Sequence, residues 1–328
     1  MKLIIQIPSL DEEATLPATV GDLPREIEGI DEVELLVIDD GSTDRTVEVA
    51  REIGVDHIVR LNNNRGLAAA FQAGLDACLK LGADVVVNTD ADNQYRGSDV
   101  PKLVAPILAG EADLVVGDRR IDGIDHFSRS KKALQRVGSW VVRKLSGTEI
   151  ADATSGFRAY NREAALGLLV VDNFTYTLES LIQAGKMRIA VGQAEIGVNP
   201  QTRDSRLFRS TGAYVRRNAI SILRIYARYE PLRVFSSAGL IVAILALGAW
   251  MPFLLDWILN GDSDGHVQSL ILGAVLFIAA LQLFALGVIG DLLAGQRVMT
   301  QRVFERVRRI ELELDVEPSQ YEPPDRVH

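Results

Sequence analysis

The sequence predicts an α/β domain with a mostly parallel sheet, followed by an interfacial helix and a two-helix transmembrane hairpin. From residue 1 to about residue 200, short apolar runs alternate with helical stretches. These runs are apolar throughout rather than alternating, which is typical of parallel strands covered on both faces. Beyond them, a mixed basic and apolar segment precedes two long, nearly uncharged stretches.

The predicted elements of the first part alternate along the chain. Strands are expected at 2–7, 34–39, 57–61, 84–89 and 113–117, and helices at 12–23, 43–53, 66–81 and 99–108. In sheets of this kind ligands bind beyond the carboxyl ends of the strands. The residues that directly follow each strand are therefore the candidates for a binding site.

Residues 232–257 and 267–293 are each long enough to span a bilayer, which takes about 20 apolar residues. The first carries only Arg233 before Asp256, and the second carries no charge before Asp291. A buried helix pair is the alternative, but core helices are rarely apolar on every face. Arginines flank the pair on both outer sides, whereas the connecting loop is acidic. The positive-inside rule then places both ends of the pair, and with them the α/β domain, in the cytosol. We expect an integral protein of a prokaryotic cell membrane.

Four segments are predicted from these patterns. They are a cytosolic α/β domain at 1–204, amphipathic juxtamembrane helices at 205–230, a transmembrane hairpin at 231–294, and a basic cytosolic segment with a disordered tail at 295–328. The juxtamembrane segment mixes arginines with large apolar residues at helical spacing, which favours a helix in the membrane interface. A solvated charged face is the alternative for that segment.

Composition and missing motifs exclude several classes of function. The net charge of -9 disfavours a nucleic-acid partner, because neutralising phosphates requires a basic face. The single cysteine, Cys78, cannot form an internal disulfide. The chain has neither a GxGxxG loop nor a Walker lysine motif, which disfavours a nucleotide dehydrogenase or a P-loop ATPase.

Asp90 and Asp92 follow the apolar run at 85–87. Two carboxylates at positions i and i+2 of an extended segment point to the same side and can reach one cation. Such hard oxygen ligands suit Mg²⁺ or Mn²⁺. An Asp-x-Asp pair alone is weak evidence, because acidic turns are common. At the end of a central strand it predicts a metal site.

Two other strand ends carry acidic groups. Asp39 and Asp40 close the second strand before Gly41, where a tight turn and a helix cap would explain them structurally. A carboxylate there can also accept hydrogen bonds from a base N–H or a ribose hydroxyl. The first strand ends at Pro8 and is followed by Asp11 and Glu12. Three strand ends thus present polar groups along one edge.

Six motifs follow one another along the first two thirds of the chain: Pro8-x-Leu10-Asp11-Glu12, Val37-Ile38-Asp39-Asp40-Gly41-Ser42-x-Asp44, Asn64-x-Gly66, Asp90-x-Asp92-x-Gln94, Gly117-Asp118-Arg119 and Asp152-x-Thr154-Ser155-Gly156-Phe157-Arg158. In this order they resemble the family 2 glycosyltransferases, in particular the dolichol-phosphate mannose synthase and polyprenyl-phosphate glucosyltransferase type. The resemblance covers about residues 1–207 and implies a GT-A fold. It also implies inverting transfer of one sugar from a GDP- or UDP-hexose to dolichyl or undecaprenyl phosphate.

The resemblance implies roles for the matching residues. It assigns Pro8, Leu10, Glu12 and Asp39 to the nucleotide pocket, and Asp90, Asp92 and Gln94 to the metal and the donor diphosphate. It assigns Ser155, Arg158, Arg203 and Arg206 to the acceptor phosphate, and Asp92, Arg119 and Glu179 to catalysis.

Some of these roles have structural alternatives. Arg119 could be a surface residue at a strand end, and Glu179 an ordinary exposed helix glutamate. Near the membrane the chain departs from the family pattern, because Arg203 stands at the position of a glycine and the upstream arginine is absent. This departure leaves the identity of the sugar open.

Two other functions remain as alternatives. One is a glycosyltransferase to another acceptor, a diacylglycerol or a growing polysaccharide. A processive synthase would be expected to carry a Gln-x-x-Arg-Trp motif and more spans, and the sequence has neither. An inactive nucleotide-sugar binding module is disfavoured by the intact Asp90 and Asp92 pair. The sequence leaves open which sugar, base and polyprenol are used, and whether the chain self-associates.

Overall fold

The computed structural model describes residues 1–120, 140, 143–170, 176–200, 220, 223–224, 226–260 and 266–323. The chain divides into two compact units. One comprises Met1–Asn218 and Gln301–His328, and the other comprises Ala219–Thr300.

The first unit is built on a mixed sheet with strand order β7-β5-β6-β4-β1-β2-β3-β8. Its strands are β1 (Lys2–Ser9), β2 (Glu32–Asp39), β3 (His57–Arg60), β4 (Val85–Asn88), β5 (Leu114–Asp118), β6 (Arg158–Asn161), β7 (Val191–Glu195) and β8 (Tyr321–Glu322). Its helices are α1 (Leu16–Asp22), α2 (Thr46–Glu52), α3 (Leu67–Lys80), α4 (Val100–Leu108), α5 (Arg162–Gly167) and α6 (Tyr176–Met187).

The predicted α/β class with a mostly parallel sheet is confirmed. Strands β1, β2, β3 and β4 pair in parallel, and so do β5 and β7. The exceptions are β6, which runs antiparallel to both β4 and β5, and β8, which runs antiparallel to β3. The centre of the sheet is buried along β1 and β4. A buried apolar centre explains why the strands read as continuous apolar runs in the sequence.

Helix α3 packs closely on the central strands because it carries a glycine at the contact. A Cβ atom added to Gly74 would lie 2.5 Å from Gln6 Oε1 and 2.7 Å from Ile38 Cδ1. No side chain fits at that distance, so the glycine permits the close approach of the helix to β1 and β2.

Helices α1 and α2 begin three or four residues later than predicted. The backbone oxygen of Glu12 accepts hydrogen bonds from Thr15 and Leu16, which forms a turn before α1. Asp11, at φ 53°, lies in the left-handed region, which interrupts the helical pattern there. The residues before both helices thus form loops at the end of the sheet rather than first helical turns.

The C-terminal tail differs from the disordered segment that the sequence predicts. Residues Tyr321 and Glu322 pair with β3 and cover its edge. The Tyr321 hydroxyl lies 2.8 Å from His57 Nδ1, and Glu322 forms an ion pair with Arg51 at 2.5 Å. An uncovered edge strand can pair with other chains, and these contacts occupy it. The Glu-Pro composition concealed a strand of only two residues.

The second unit contains α7 (Pro231–Asn260) and the larger part of α8 (Val267–Glu313). Both helices are long and apolar enough to cross a membrane, with mean hydropathies of 2.3 and 2.5 over their most apolar windows. Only 11% and 17% of those windows are buried, unlike the core helices of a globular protein. The predicted spans lie inside these helices. Most of the predicted juxtamembrane segment lies outside the described residues.

The last turns of α8 belong to the first unit and pack on α5 and α6. Arg308 is buried and donates from Nη1 to the backbone oxygens of Ala165 and Leu168, at 3.0 and 3.2 Å. Gln301 donates from Nε2 to the backbone oxygen of Gly167 at 3.0 Å and to Gln183 Oε1 at 2.8 Å. The basic segment after the second predicted span is therefore in part a packed element of the α/β domain.

Candidate active site

The carboxyl ends of β1, β2 and β4 lie side by side at one edge of the sheet. Ser9 pairs with Asp39, and Gln6 pairs with Asn88. The segments that follow these strands therefore share one edge, as the strand pattern predicts for a parallel sheet. Asp90 and Asp92 follow β4, which lies near the middle of the sheet, and Asp39 is the last residue of β2.

The loops after β1 and β2 brace one another through side chains. Asp11 Oδ1 accepts a hydrogen bond from the Thr43 backbone N–H at 2.7 Å, and Ser42 Oγ accepts one from the Asp11 N–H at 2.9 Å. Asp44 accepts from the Thr46 N–H at 2.9 Å, which confirms its place in the cap region of α2. Several polar groups of these two motifs thus hold the loops together.

Other residues assigned to the nucleotide pocket lie beside this brace. Pro8 is buried within β1, Leu10 is half-buried just beyond it, and Glu12 is 8% exposed. Their contacts with a nucleotide stay predictions.

Asp39 and Asp40 have different surroundings. Both oxygens of Asp40 accept backbone hydrogen bonds, from Arg65 at 2.8 Å and Gly66 at 2.9 Å, so Asp40 fixes the loop after β3. Asp39 is fully buried, and its Oδ1 accepts from Ser42. Its Oδ2 has no hydrogen-bond partner among the described residues, and Arg60 Nε lies 3.7 Å away. A buried carboxylate oxygen without a donor is costly, and a ligand N–H or hydroxyl would satisfy it.

The surroundings of Asp90 disfavour its negative charge. Asp90 is half-buried. Its desolvation, followed by the neighbouring charge of Asp92, raises the pKa of Asp90 from its ordinary 3.8 to about 7, although Arg119 and Arg158 oppose the shift. A bound divalent cation would offset the repulsion between two adjacent carboxylates. The observed electrostatics therefore fit the predicted metal site at Asp90 and Asp92.

Two carboxylates alone do not complete a metal shell. Among the described residues there is no group of three or more His, Cys, Asp or Glu side chains that could hold one ion. The Gln94 backbone N–H donates to Asp92 Oδ1 at 3.2 Å, which fixes the turn that carries both. Water, substrate phosphate and the Gln94 side chain would supply the remaining oxygens. An incomplete protein shell is typical of Mg²⁺ sites that bind phosphates.

Gly156 lies directly against the Asp90 carboxylate. A Cβ atom at this position would meet Tyr176 Oη at 2.7 Å and the Asp90 carboxylate oxygens at 3.1 and 3.2 Å. The 152–158 motif is therefore part of the site, and its glycine is required for space. The sequence singled out this motif, but it gave no indication that Tyr176 belongs to the site.

Arg119 is held in place by the same motif. Its Nε and Nη2 donate to Asp152 at 2.6 and 3.0 Å, and Nη2 also donates to Thr154 Oγ1 at 2.9 Å. Although burial opposes it, the Arg119 guanidinium holds the pKa of Asp152 below its usual value. Arg119 is thus a fixed cation near Asp90 rather than a mobile surface residue.

Arg158 lies in the protein interior, whereas contact with an acceptor phosphate requires a guanidinium that a ligand can reach. It is fully buried and donates to the backbone oxygens of Ser155, Ala153 and Thr177 at 2.7 to 2.8 Å, and to Ser180 Oγ. In this conformation it anchors the motif to α6, and its guanidinium is closed off from solvent. Contact with a phosphate would need this segment to open, and the predicted role stays a prediction.

The roles of four further candidate residues stay predictions. Ser155 Oγ is buried and makes no hydrogen bond to a described residue, so its hydroxyl is available to donate one to a ligand. Glu179 is 2% exposed, so the alternative of an ordinary exposed glutamate is wrong, while its catalytic role stays a prediction. Arg203 and Arg206 lie outside the described residues.

Comparison with known proteins gives one family and several relatives. The sequence model of glycosyl transferase family 2 matches residues 4–168. The undecaprenyl-phosphate mannosyltransferase of Micrococcus luteus is 28% identical over 71% of this chain and 98% of that protein. The prophage bactoprenol glucosyl transferase homolog of Escherichia coli K12 is 27% identical over 94% of this chain and all of that protein.

A solved structure shares the fold. Glucosyl-3-phosphoglycerate synthase from Mycobacterium tuberculosis, in complex with Mn²⁺, uridine-diphosphate and glucosyl-3-phosphoglycerate, superimposes with a TM-score of 0.54. It is 26% identical to this chain, and the match covers 68% of this chain and 78% of that structure.

The contacts of Gly156 predict the effect of a single methyl group. Gly156→Ala should push the motif away from Asp90 and Tyr176, lower the free energy of unfolding by about 1–3 kcal/mol, and weaken Mn²⁺ binding. Gly21→Ala is the matched control, because a Cβ there meets nothing within 4 Å. Thermal unfolding and Mn²⁺ titration measure both effects, and equal behaviour of the two variants would contradict the proposed contact.

The raised pKa of Asp90 predicts how Mn²⁺ affinity depends on pH. An acid whose pKa rises on folding holds its proton more tightly in the folded chain, so this group makes the metal-free protein less stable as the pH rises from about 4 to 7. Mn²⁺ must displace that proton below pH 7. Affinity should therefore be about ten-fold weaker at pH 6 than at pH 8.

Titration of Mn²⁺ against the free-ion paramagnetic resonance signal at both pH values measures this difference. Asp90→Asn should remove the binding at each pH. Equal wild-type affinity at pH 6 and pH 8 would show that Asp90 does not titrate in this range or does not bind the ion.

Proposed function

This chain belongs to glycosyl transferase family 2, and we propose that it transfers a single sugar from a nucleotide-sugar to a polyprenyl phosphate with inversion at the anomeric carbon. It is a glycosyltransferase with a GT-A fold. The observation that carries the proposal is the pair Asp90 and Asp92 at the same edge of the sheet as Asp39, whose buried Oδ2 accepts no hydrogen bond from a described residue. The chain also has two helices long enough to cross a membrane.

The donor side of the proposal rests on the strand ends. Asp39 Oδ2 would accept a hydrogen bond from the nucleoside, which gives a buried orphan oxygen its partner. Pro8, Leu10 and Glu12 would line the same pocket. Asp90 and Asp92, with Gln94, would hold Mg²⁺ or Mn²⁺ against the diphosphate. A related structure holds Mn²⁺ together with uridine-diphosphate, which supports a divalent cation here.

The acceptor side rests on the relatives and the helices. The Micrococcus luteus and Escherichia coli relatives are named for undecaprenyl phosphate and bactoprenol, and the second matches nearly the whole length of this chain. We place the polyprenyl phosphate near the 152–158 motif, with Ser155 as its hydroxyl donor and Arg203 and Arg206 as predicted cationic partners. Arg158 would join them on opening of the segment that now buries its guanidinium. Helices α7 and α8 would anchor the enzyme, with its catalytic domain in the cytosol.

The chemistry follows from the charges of the reactants. A phosphate acceptor is already an anionic nucleophile near neutral pH, so it needs no strong general base. A bound divalent cation supplies charge neutralisation for the departing diphosphate. Arg119, fixed by Asp152 and Thr154, adds a preorganised positive charge that costs no reorganisation during the reaction. Asp39 and Ser155 would hold donor and acceptor in line. Glu179 remains a predicted active-site carboxylate.

The test is a transfer assay with the purified full chain in detergent. With Mg²⁺ or Mn²⁺, undecaprenyl or dolichyl phosphate and a panel of UDP- and GDP-sugars, we expect one lipid-linked monosaccharide. Asp92→Asn should lower the rate at least 100-fold, in line with typical losses of electrostatic stabilisation. Glu111→Gln, which changes an exposed acid in the loop between α4 and β5, should have no effect. Transfer to a different acceptor, with no labelled polyprenyl phosphate, would contradict the proposal.

A further inference from the structure

A buried chain of hydrogen bonds runs beneath the Asp90 carboxylate. Gln6 Nε2 donates to Asn88 Oδ1 at 2.9 Å, between adjacent strands β1 and β4. Asn88 Nδ2 donates in turn to the Gly156 backbone oxygen and to Tyr176 Oη, each at 2.9 Å. Both side-chain amides are fully buried. The chain thus links the two central strands to the segment and the helix that close the site.

The same glycine is held from its other side. The Gly156 N–H donates to the Tyr95 hydroxyl at 2.9 Å, and the Tyr95 ring stacks on Phe157 with centroids 5.1 Å apart. Both backbone polar groups of Gly156 are therefore fixed by buried side chains. Because Gly156 has no Cβ, its backbone is free to lie against the Asp90 carboxylate.

Tyr176 is placed by stacking as well as by its hydroxyl. Its ring stacks on Phe71 of α3, with centroids 4.2 Å apart and an interplanar angle of 14°. The hydroxyl lies 3.4 Å from the Gly156 backbone oxygen. A Cβ atom on Gly156 would contact both this hydroxyl and the Asp90 carboxylate, so the two groups lie on the same side of the glycine. The ring supplies packing, and the hydroxyl supplies the connection to the site.

We infer that Tyr176 and Asn88 are positioning residues that hold Gly156 against the Asp90 carboxylate and so set the geometry of the metal site. Neither is proposed as a ligand of the ion. Asn88 lies in the strand two residues before Asp90, and its two donors tie that strand to Gly156 and α6. Groups that orient metal ligands in this way typically change metal affinity or activity 10- to 100-fold when they are removed.

The inference rests on the metal site of the proposed function, and a neighbouring tyrosine provides a matched control. Tyr160 is as fully buried as Tyr176 and also contacts Phe71, with centroids 5.9 Å apart. Its hydroxyl makes no hydrogen bond to a described residue, although Arg158 and Ser180 lie near it. Tyr160→Phe therefore removes a buried tyrosine hydroxyl beside Phe71, as Tyr176→Phe does, but it removes no contact with Gly156.

The experiment compares Tyr176→Phe with Tyr160→Phe in the full chain. Mn²⁺ alone is titrated at pH 8, and its binding is read from the free-ion paramagnetic resonance signal and the thermal midpoint. Tyr176→Phe should weaken Mn²⁺ binding about ten-fold, and Tyr160→Phe should change it less than two-fold. In transfer assays well below the thermal midpoint, the rate of Tyr176→Phe should recover with excess Mn²⁺. A merely destabilised protein is folded at that temperature and would need no extra Mn²⁺.

The outcomes separate this inference from the proposed function. Wild-type protein that binds Mn²⁺ while both phenylalanine variants bind equally well would overturn the positioning role alone. Wild-type protein that binds no Mn²⁺ would overturn the metal site and this inference with it. Asn88→Ala, which removes both donors at once, is the second variant and should weaken binding at least as much as Tyr176→Phe.

Discussion

The site depends on one electrostatic constraint, the Asp90 carboxylate at the end of a fully buried strand. Burial and Asp92 disfavour its charge, and the nearby cations Arg119 and Arg158 offset only part of the cost. Both arginines already donate hydrogen bonds elsewhere, Arg119 to Asp152 and Arg158 to backbone oxygens and Ser180. The fold therefore keeps a carboxylate pair that a divalent cation would stabilise, on a scaffold with little freedom to rearrange.

Within the same sequence motifs, some acidic residues hold the loops of the site in place and others are available to a ligand. Asp40, Asp44 and Asp152 accept hydrogen bonds that fix loops or Arg119, whereas Asp39 keeps one oxygen without a donor. Adjacent acidic residues thus differ in role because of what each one faces. The C-terminal part of α8 and the strand β8 add support to the same domain, through Gln301, Arg308 and Tyr321.

The sequence predicted the parts of this arrangement that depend on local pattern. Continuous apolar runs gave the five parallel strands, and residues after those runs gave Asp39, Asp90 and Asp92. It could not predict the contact of Gly156 with Tyr176, because the hydroxyl and the glycine meet only through the packing of α6 on Phe71. Arg158 resembles a phosphate ligand in sequence, and only the fold shows the carbonyls around it. The tail was misread because cross-strand pairing with β3 leaves no periodic signal in two residues.

The central claim is that Asp90 and Asp92 hold a divalent cation at the end of β4. The most direct measurement is anomalous scattering from Mn²⁺ in crystals of the full chain grown with Mn²⁺ and a nucleoside diphosphate. A peak within coordination distance of both carboxylates, with Gly156 still packed against Asp90, is the predicted result. A peak at Asp39 and Asp40, or a bound nucleotide with no metal at Asp90 and Asp92, would contradict the account.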